Sequence, residues 1–286
     1  MRLAVSFCNL RRDASAGIAT IDLATGQTQA VPAPVGATSV TGLCVEGGFL
    51  YAAFHRGGSY VAVYDAATLV ERAQFALPEV SDIHSIDRRD NTLLSVSTGT
   101  DTVARHTLLG TGARSGGIVW SPASGDADSI HLNGATRAEG RALVSGFGPR
   151  KDGSWNAADR GFVYDLEEEE IVPGFAGIHH PHSVIVHSGE VFCLESVTGK
   201  VVTAAGRSSW SANGYARGLC FVDKRSIAVG TSIGRRAGEE LVANNVEPGE
   251  PAGTCGVTIA TLATGPERFV PLDAFNNEIY DVVVLP

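Results

Sequence analysis

The chain has 286 residues, a formal net charge of −9 and a pI near 5.3. An acidic protein repels phosphate groups, which argues against a nucleic-acid or anionic-membrane surface and favours a small-molecule partner. No segment approaches the roughly 18 apolar residues of a membrane helix, and the apolar run in MRLAVSFCNL is too short for a signal peptide. We therefore predict a cytoplasmic protein, and leave its oligomeric state open.

The composition is typical of an all-β protein with many tight turns. Only 19% of the residues are charged, and 34 glycines punctuate the sequence. The five cysteines form no CxxC pair and lie mostly in apolar strand patterns. We interpret Cys8, Cys44, Cys193, Cys220 and Cys255 as reduced thiols of the core.

The predicted strands begin with RLAVSF at residues 2–7, which has no inner strand before it. A strand, a glycine turn and a second strand follow in GIATIDLATGQTQAV. From residue 39 onward a motif recurs in which polar residues lead into an apolar strand, and a turn then leads to a second β-rich run such as FLYAAF or EVFCLES. The copies are SVTGLCVEGG, SDIHSIDRRD, SIHLNGATRAEG, HHPHSVIVHSGE, GYARGLCFVD and NEIYDVVVLP.

Six copies over this length give a period of about 48 residues, which is typical of a four-stranded propeller blade. We predict an all-β, six-bladed β-propeller in which residues 1–286 form a single domain. The last copy has no partner strand after it, and RLAVSF has no inner strand before it. Pairing the two would close the ring and leave no sheet edge open.

The inner strand of each propeller blade begins at the central channel, so aligning the motifs predicts the channel wall. Side chains two residues apart on a strand point the same way, and two columns of the alignment can face the channel together. The first column contains Thr41, His84, Asn133, His182, Arg217 and Tyr280. The second contains Ser39, Asp82, His131, His180, Tyr215 and Glu278. This density of ionisable and polar side chains predicts a functional site.

Two long polar segments depart from the repeat, at residues 148–161 and 234–256. Both are rich in glycine and follow a predicted second strand. Long irregular loops in a compact domain are usually either lids over a site or loosely ordered excursions. The sequence leaves both interpretations open.

Metal binding is the first chemistry that the columns predict. His84, His131 and His182 come from consecutive blades, and three imidazoles that meet on one axis could bind a divalent ion and leave a coordination position open. Zinc, iron, copper or manganese would suit such a site. The competing interpretation is that these histidines hydrogen-bond to one another and to water.

Metal-free acid–base chemistry is the second. Glu278 and His182 would transfer protons, because a carboxylate and an imidazole in one channel can both titrate in the useful range. Tyr280 would join them as a hydrogen-bond donor. Arg217 would bind a substrate carboxylate through its guanidinium fork, and Tyr215 and Asn133 would contact the substrate. Each of these residues could instead be structural.

The motifs DIHSI, HLNGA, PHSV, GYARGLCF and NEIYDVVVLP resemble an uncharacterised family of bacterial conserved proteins, a domain of unknown function. Its members share D-x-H, H-L-N-G, P-H-S, R-G-L and E-I-Y-D-V-x-V-L-P in this order. The resemblance covers roughly residues 80–286. It implies functional positions at His84, His131, Asn133, His182, Arg217, Glu278, Tyr280 and Asp281.

By architecture the chain also resembles gluconolactonase-type metal hydrolases and strictosidine-synthase-type condensing enzymes, although folds do not fix function. We predict a small-molecule enzyme of bacterial secondary metabolism, a lyase, hydrolase or cyclase, whose channel site uses a histidine-bound divalent metal. One alternative is a metal-free cyclase or condensing enzyme of the Pictet–Spengler type with Glu278 and His182 as proton carriers. Another is a non-catalytic interaction propeller.

Overall fold

The structure is a computed structural model that describes residues 1–11, 16–109, 112–122, 127–151, 153–233, 236–237, 240–241 and 253–286. These residues form six antiparallel sheets of four strands each. The inner strands of neighbouring sheets contact one another around a complete ring. The predicted six-bladed β-propeller is therefore confirmed.

The blades are numbered along the chain, and their strands run from the channel outward. Blade 1 contains Ile279–Leu285, Arg2–Phe7, Ile18–Asp22 and Thr28–Val31; blade 2 contains Ser39–Glu46, Phe49–His55, Ser59–Asp65 and Glu71–Ala76; blade 3 contains Ile83–Arg89, Thr92–Ser97, Thr102–Leu109 and Gly112–Trp120. Blade 4 contains Leu132–Ala138, Arg141–Gly146, Gly161–Asp165 and Glu170–Ile178; blade 5 contains Pro181–His187, Glu190–Glu195, Lys200–Thr203 and Gly206–Arg207; blade 6 contains Tyr215–Phe221, Ser226–Ser232, Gly256–Thr261 and Gly265–Pro271.

Two smaller elements complete the described structure. A single 3₁₀ turn at Thr98–Thr100 follows the second strand of blade 3. Arg236–Ala237 pairs with Glu240–Leu241 in the segment predicted as the second long loop. Most of that segment, residues 234–235, 238–239 and 242–252, lies outside the described residues, so its proposed role as a lid is not addressed.

The ring closes through blade 1, as the sequence predicts. Ile279–Leu285 pairs antiparallel with Arg2–Phe7, with Arg2 opposite Leu285 and Ser6 opposite Asp281. The backbone groups that would form two open sheet edges bond to each other instead, which removes a template for edge-to-edge aggregation. Both ends of the described chain are therefore part of the fold.

The hydrophobic core lies between the blades. In Phe49–His55 the side chains from Leu50 to Phe54 are all buried, because each sheet packs against a neighbour on both faces. A strand with two buried faces reads as a continuous apolar run rather than an alternation, which explains the run FLYAAF. Complete burial of a side chain such as Leu50 stabilises the fold by about 1.5–3 kcal/mol.

Each inner strand is interrupted by a β-bulge or register shift near its channel end. His84, for example, lies between Ile83 and Ser85, which pair with the consecutive residues Ser97 and Val96. A bulge leaves its extra residue out of the ladder and re-aims the side chain. Unpaired residues of this kind in the other blades are Thr41, Asn133, Arg217 and Tyr280, and His182 immediately precedes the bulge of blade 5.

Candidate functional site

The channel opens into a cavity of about 540 Å³ at the end where the inner strands begin. Side chains from all six blades border it. The lining residues are Cys8, Asn9, Thr38, Ser39, Thr41, His55, Asp82, His84, His131, Phe147, Trp155, Asn156, His180, His182, Tyr215, Arg217, Ser232, Ile233, Glu278 and Tyr280. Both predicted columns are present in this list apart from Asn133. We call this cavity the mouth pocket.

Asn133 lies deeper in the channel. Its Oδ1 accepts a hydrogen bond from Ser145 Oγ at 2.8 Å, and it borders a second cavity of about 310 Å³ toward the opposite end. Its side chain is almost completely buried. Asn133 is thus separated from the rest of the predicted substrate-binding set.

Three side chains border both cavities and form the boundary between them: His84, His182 and Tyr280. The Tyr280 ring lies 5.5 Å from the His84 ring and 6.1 Å from the His182 ring, measured between centroids. Burial raises the pKa of Tyr280 well above its usual value, so its phenol keeps its proton. The floor of the mouth pocket therefore has two imidazoles and a protonated phenol, whose hydroxyl donates to the Asn133 carbonyl at 3.5 Å.

His131 is oriented by a carboxylate. Its Nδ1 lies 2.9 Å from Asp128 Oδ1, and we assign the proton to Nδ1 because a carboxylate can only accept. Asp128 Oδ2 also accepts from Trp155 Nε1 at 3.1 Å and from Arg150 Nη2 at 3.0 Å.

The first long loop predicted from the sequence contributes directly to the pocket. Trp155 and Asn156 line it, and the Trp155 ring lies 4.8 Å from the His131 ring. The carbonyl oxygen of Trp155 also accepts from His180 Nε2 at 2.7 Å. These contacts hold the loop against the mouth pocket in this structure.

His180 and His182 are held in defined orientations. Because His180 Nε2 donates to a carbonyl, its Nδ1 accepts from Tyr215 Oη, 2.9 Å away. His182 Nδ1 contacts Ser196 Oγ at 2.7 Å and the His180 carbonyl at 3.2 Å. Burial lowers the pKa of His180 to about 4 and that of His182 well below its usual value. Both rings are therefore neutral near neutral pH.

Asp82 provides a negative charge on the opposite wall. Its carboxylate oxygens lie 3.4 Å from His84 Nε2 and 3.6 Å from His55 Nε2. The hydrogen bond from His84 lowers the pKa of Asp82 to about 2, whereas burial lowers the pKa of His84 to about 4. Asp82 is thus ionised beside a neutral imidazole.

Four lining residues have a left-handed backbone: Asn9, with a φ of 47°, and three residues that share one position in the repeat. Asp82, His131 and His180 occupy the same position before the inner strands of blades 3, 4 and 5, and their φ angles are 56°, 48° and 52°. The left-handed conformation costs a non-glycine residue about 1–2 kcal/mol, and such residues cluster at functional sites. The strain supports a functional interpretation of this end of the channel.

Arg217 is buried between two tyrosines. Its guanidinium lies 4.7 Å from the Tyr215 ring centroid and 5.6 Å from the Tyr280 centroid. Nη1 lies 2.9 Å from Cys8 Sγ and 3.7 Å from Glu278 Oε2. Burial alone would lower the pKa of Arg217, but these neighbours raise it, so the guanidinium stays charged.

The histidines predicted to bind a metal do not form a ligand set. The His84 and His131 rings are 5.3 Å apart, whereas the His182 ring packs 5.2 Å from Phe147. Across the part of the chain that the structure describes, no group of three or more histidine, cysteine, aspartate or glutamate side chains is arranged to hold a metal ion. The metal site at His84, His131 and His182 stays a prediction.

Several lining residues were missed by the motif alignment because they lie outside the inner strands. Cys8 follows the second strand of blade 1, His55 ends the second strand of blade 2, and Phe147 follows the second strand of blade 4. Since the second strand returns to the channel end at which the inner strand begins, its last residue could have been included. Asp128 had no signal in the sequence, because it lies in the connection between blades.

Comparisons with solved structures support the fold. The chain is similar to a chain of a nidogen/laminin complex, with a TM-score of 0.66, 9% identity and coverage of 98% of this chain and 97% of that one. It is also similar to a protein from Lactobacillus plantarum (TM-score 0.58, 13% identity, 100% of both chains). A third similar structure is a luciferin-regenerating enzyme (TM-score 0.56, 12% identity, 88% of this chain and 78% of that one). Identities this low establish the fold alone.

Other comparisons concern the membrane and the family. No helix in the described segments is long and apolar enough to cross a membrane. A search of curated proteins finds no match. The family model described as "Domain of unknown function (DUF4915)" matches residues 53–286, which confirms the resemblance drawn from the motifs. The chain belongs to this family.

Proposed function

We propose that the protein is an enzyme that acts on a small polar or aromatic metabolite in the mouth pocket by acid–base chemistry without a metal. The observation that carries this proposal is the convergence, around one 540 Å³ cavity, of the Asp82 and Glu278 carboxylates, a buried guanidinium and several neutral imidazoles. A cavity of this volume is in the range of small-molecule sites. The luciferin-regenerating enzyme supports the suitability of the fold for catalysis.

The proposed roles follow from the side chains that border the mouth pocket. Glu278 takes a proton from the substrate, and the Tyr280 hydroxyl donates a hydrogen bond to the oxygen on which negative charge develops. His182, neutral and with a low pKa, holds a proton only transiently and passes it on. Phe147, Trp155 and Tyr215 provide apolar walls for a planar substrate.

The first experiment combines metal analysis with metabolite profiling. Tag-free protein is analysed for metals by inductively coupled plasma mass spectrometry and then incubated with a bacterial metabolite extract, whose composition is followed by mass spectrometry. We expect far less than one equivalent of metal and the consumption of a defined compound. Glu278→Gln should reduce the rate by about 10²–10⁴-fold, the usual contribution of a general base.

The matched control is Glu190→Gln, which changes an exposed glutamate at the start of a second strand and should keep the native rate. One equivalent of zinc, iron, copper or manganese that is required for turnover would overturn the metal-free mechanism in favour of the histidine metal site. An unchanged rate in Glu278→Gln would overturn the role of this carboxylate. If the extract is unchanged and the purified protein retains a protein partner instead, the propeller is an interaction module.

A further inference from the structure

One lining residue that the proposed mechanism does not use is Cys8. Its backbone N–H donates to the Glu278 carbonyl at 3.0 Å, which holds Cys8 beside Glu278. Only 3% of Cys8 is exposed, yet it borders the mouth pocket. The thiol therefore belongs to the wall of the pocket.

The surroundings of this thiol are charged. Arg217 Nη1 lies 2.9 Å from Cys8 Sγ, and Glu278 Oε2 lies 3.6 Å from it. The guanidinium donates to the sulfur and favours the thiolate, whereas the thiol donates to the carboxylate, which together with burial favours the protonated form. The negative charge of an ionised Cys8 also raises the pKa values of Cys255 and Tyr280.

A second observation points to a ligand. Arg217 is 6% exposed and borders the pocket, and its buried Nε has no hydrogen-bond partner among the described residues. A buried donor without a partner is costly, and a ligand atom that accepts from it would remove that cost. The pocket thus combines a nucleophile with an unsatisfied donor on the same wall.

We propose that Cys8 is a reactive thiol of the mouth pocket that adds to an electrophilic carbonyl carbon of the ligand, with Arg217 stabilising the thiolate. In this step a bond forms between sulfur and carbon, and the π pair of the C=O bond moves onto the oxygen. The proton released by the thiol ends on that oxygen, and Glu278 is the nearest carboxylate to carry it. The product is a thiohemiacetal, so nothing is oxidised or reduced.

The chain provides internal controls for this proposal. Burial raises the pKa of Cys44 and Cys255 to about 12 and raises the pKa of Cys193 and Cys220 further. Thiolate, rather than thiol, is the species that reacts with alkylating agents. These four cysteines are therefore expected to react slowly in the native protein.

The test is limited alkylation of the folded protein with iodoacetamide near neutral pH, followed by peptide mass mapping. We expect Cys8 to react at least about tenfold faster than any other cysteine. Arg217→Met should lower the alkylation rate of Cys8 by about tenfold and leave the rates of the other four cysteines unchanged. Arg225→Met, which changes an exposed turn arginine, is the control and should change none of these rates. Alkylation in denaturant confirms that all five thiols can react.

Two results would overturn the proposal. In the unmodified chain, a Cys8 rate equal to that of buried Cys193 would show that the thiol is inert, and this result does not depend on whether a variant folds. An unchanged alkylation rate of Cys8 in folded Arg217→Met would show that the guanidinium does not stabilise the thiolate. Because alkylation requires no substrate, either failure is distinct from a failure of the acid–base mechanism.

Discussion

At the scale of single residues, Asp281 joins two blades. Its Oδ2 accepts the backbone N–H of Leu43 in blade 2 at 2.8 Å, and its Oδ1 accepts the N–H of Val282 at 2.9 Å. Leu43 is the first residue after the bulge of its strand, where it pairs with Ala52. Burial raises the pKa of Asp281 to about 7, although both hydrogen bonds act to lower it.

Asp281→Asn should therefore be destabilising despite its similar shape. One of the two carboxylate oxygens becomes an amide N–H₂, so one backbone N–H is left facing a donor, at a cost of about 1–3 kcal/mol. Urea unfolding measures this loss. Asp273→Asn, which changes an exposed aspartate nearby, is the matched control and should lie within about 0.5 kcal/mol of the native protein. Equal stability of the two variants would mean that the hydrogen bonds of Asp281 do not contribute to the free energy of unfolding.

At the scale of secondary structure, the bulges of the inner strands place the site residues and impose glycine. Gly218 follows Arg217 in the bulge of blade 6 and has a φ of +80°. A Cβ atom there would lie 2.7 Å from the backbone nitrogen of Val282 in blade 1. Glycine is thus required twice, by the backbone conformation and by the approach of the next blade.

Gly218→Ala should lower the unfolding free energy by about 2–4 kcal/mol, the sum of left-handed strain and the clash with the neighbouring strand. Gly140→Ala separates the two causes, because Gly140 has a φ of +78° but nothing near its Cβ position. It should cost only about 1 kcal/mol. Thermal unfolding of both variants measures the difference. Equal melting temperatures would mean that the close approach of Val282 adds nothing to the cost of Gly218→Ala.

At the scale of the whole molecule, the channel histidines couple stability to pH. His84, His180 and His182 have lowered pKa values in the folded state, so the unfolded chain binds more protons below about pH 6.5, and stability is lost as the pH falls from there toward about 4. The carboxyls of Asp281 and Asp87, whose pKa values burial raises, act in the opposite direction. With His106, whose pKa burial also lowers, four histidines outnumber two carboxyls, which leaves acid destabilisation.

We expect the unfolding free energy to fall as the pH falls across this window, by about 1.4 kcal/mol per pH unit for each extra proton that the unfolded chain binds. Denaturant unfolding at a series of pH values measures the slope. His180→Gln should make the slope shallower by removing one of the shifted groups. His187→Gln changes a histidine that stacks on Phe221 and borders neither cavity, and it is the matched control for the loss of an imidazole. Stability that rises toward pH 4 would contradict the assignment of neutral histidines.

Much of the architecture was predictable because it depends on local patterns. Strand periodicity and the recurring motif are properties of consecutive residues, and six copies at an even spacing indicate a ring. The same alignment predicted that Glu278 and His131, which are far apart in sequence, border one cavity, because equivalent positions of a repeat occupy equivalent places around its axis. Closure of the ring by the first and last strands followed from the same count.

The contacts within the site were harder to predict from the sequence. The alignment assumed regular strands, but the bulges change where each side chain points, and Asn133 is left outside the mouth pocket. It could not indicate that His182 and His131 are turned to different partners, because Ser196 and Asp128 lie on other elements.

By itself, the sequence determined the repeat, the number of blades, the ring closure and the set of polar residues around the channel, since each follows from periodicity along the chain. Only the tertiary structure decided that Cys8 contacts Arg217 and Glu278, that Trp155 lines the pocket, and that His131 and His182 contact Asp128 and Ser196. Contacts of that kind depend on bulges, loop packing and burial between blades, which are non-local and leave no period in the sequence.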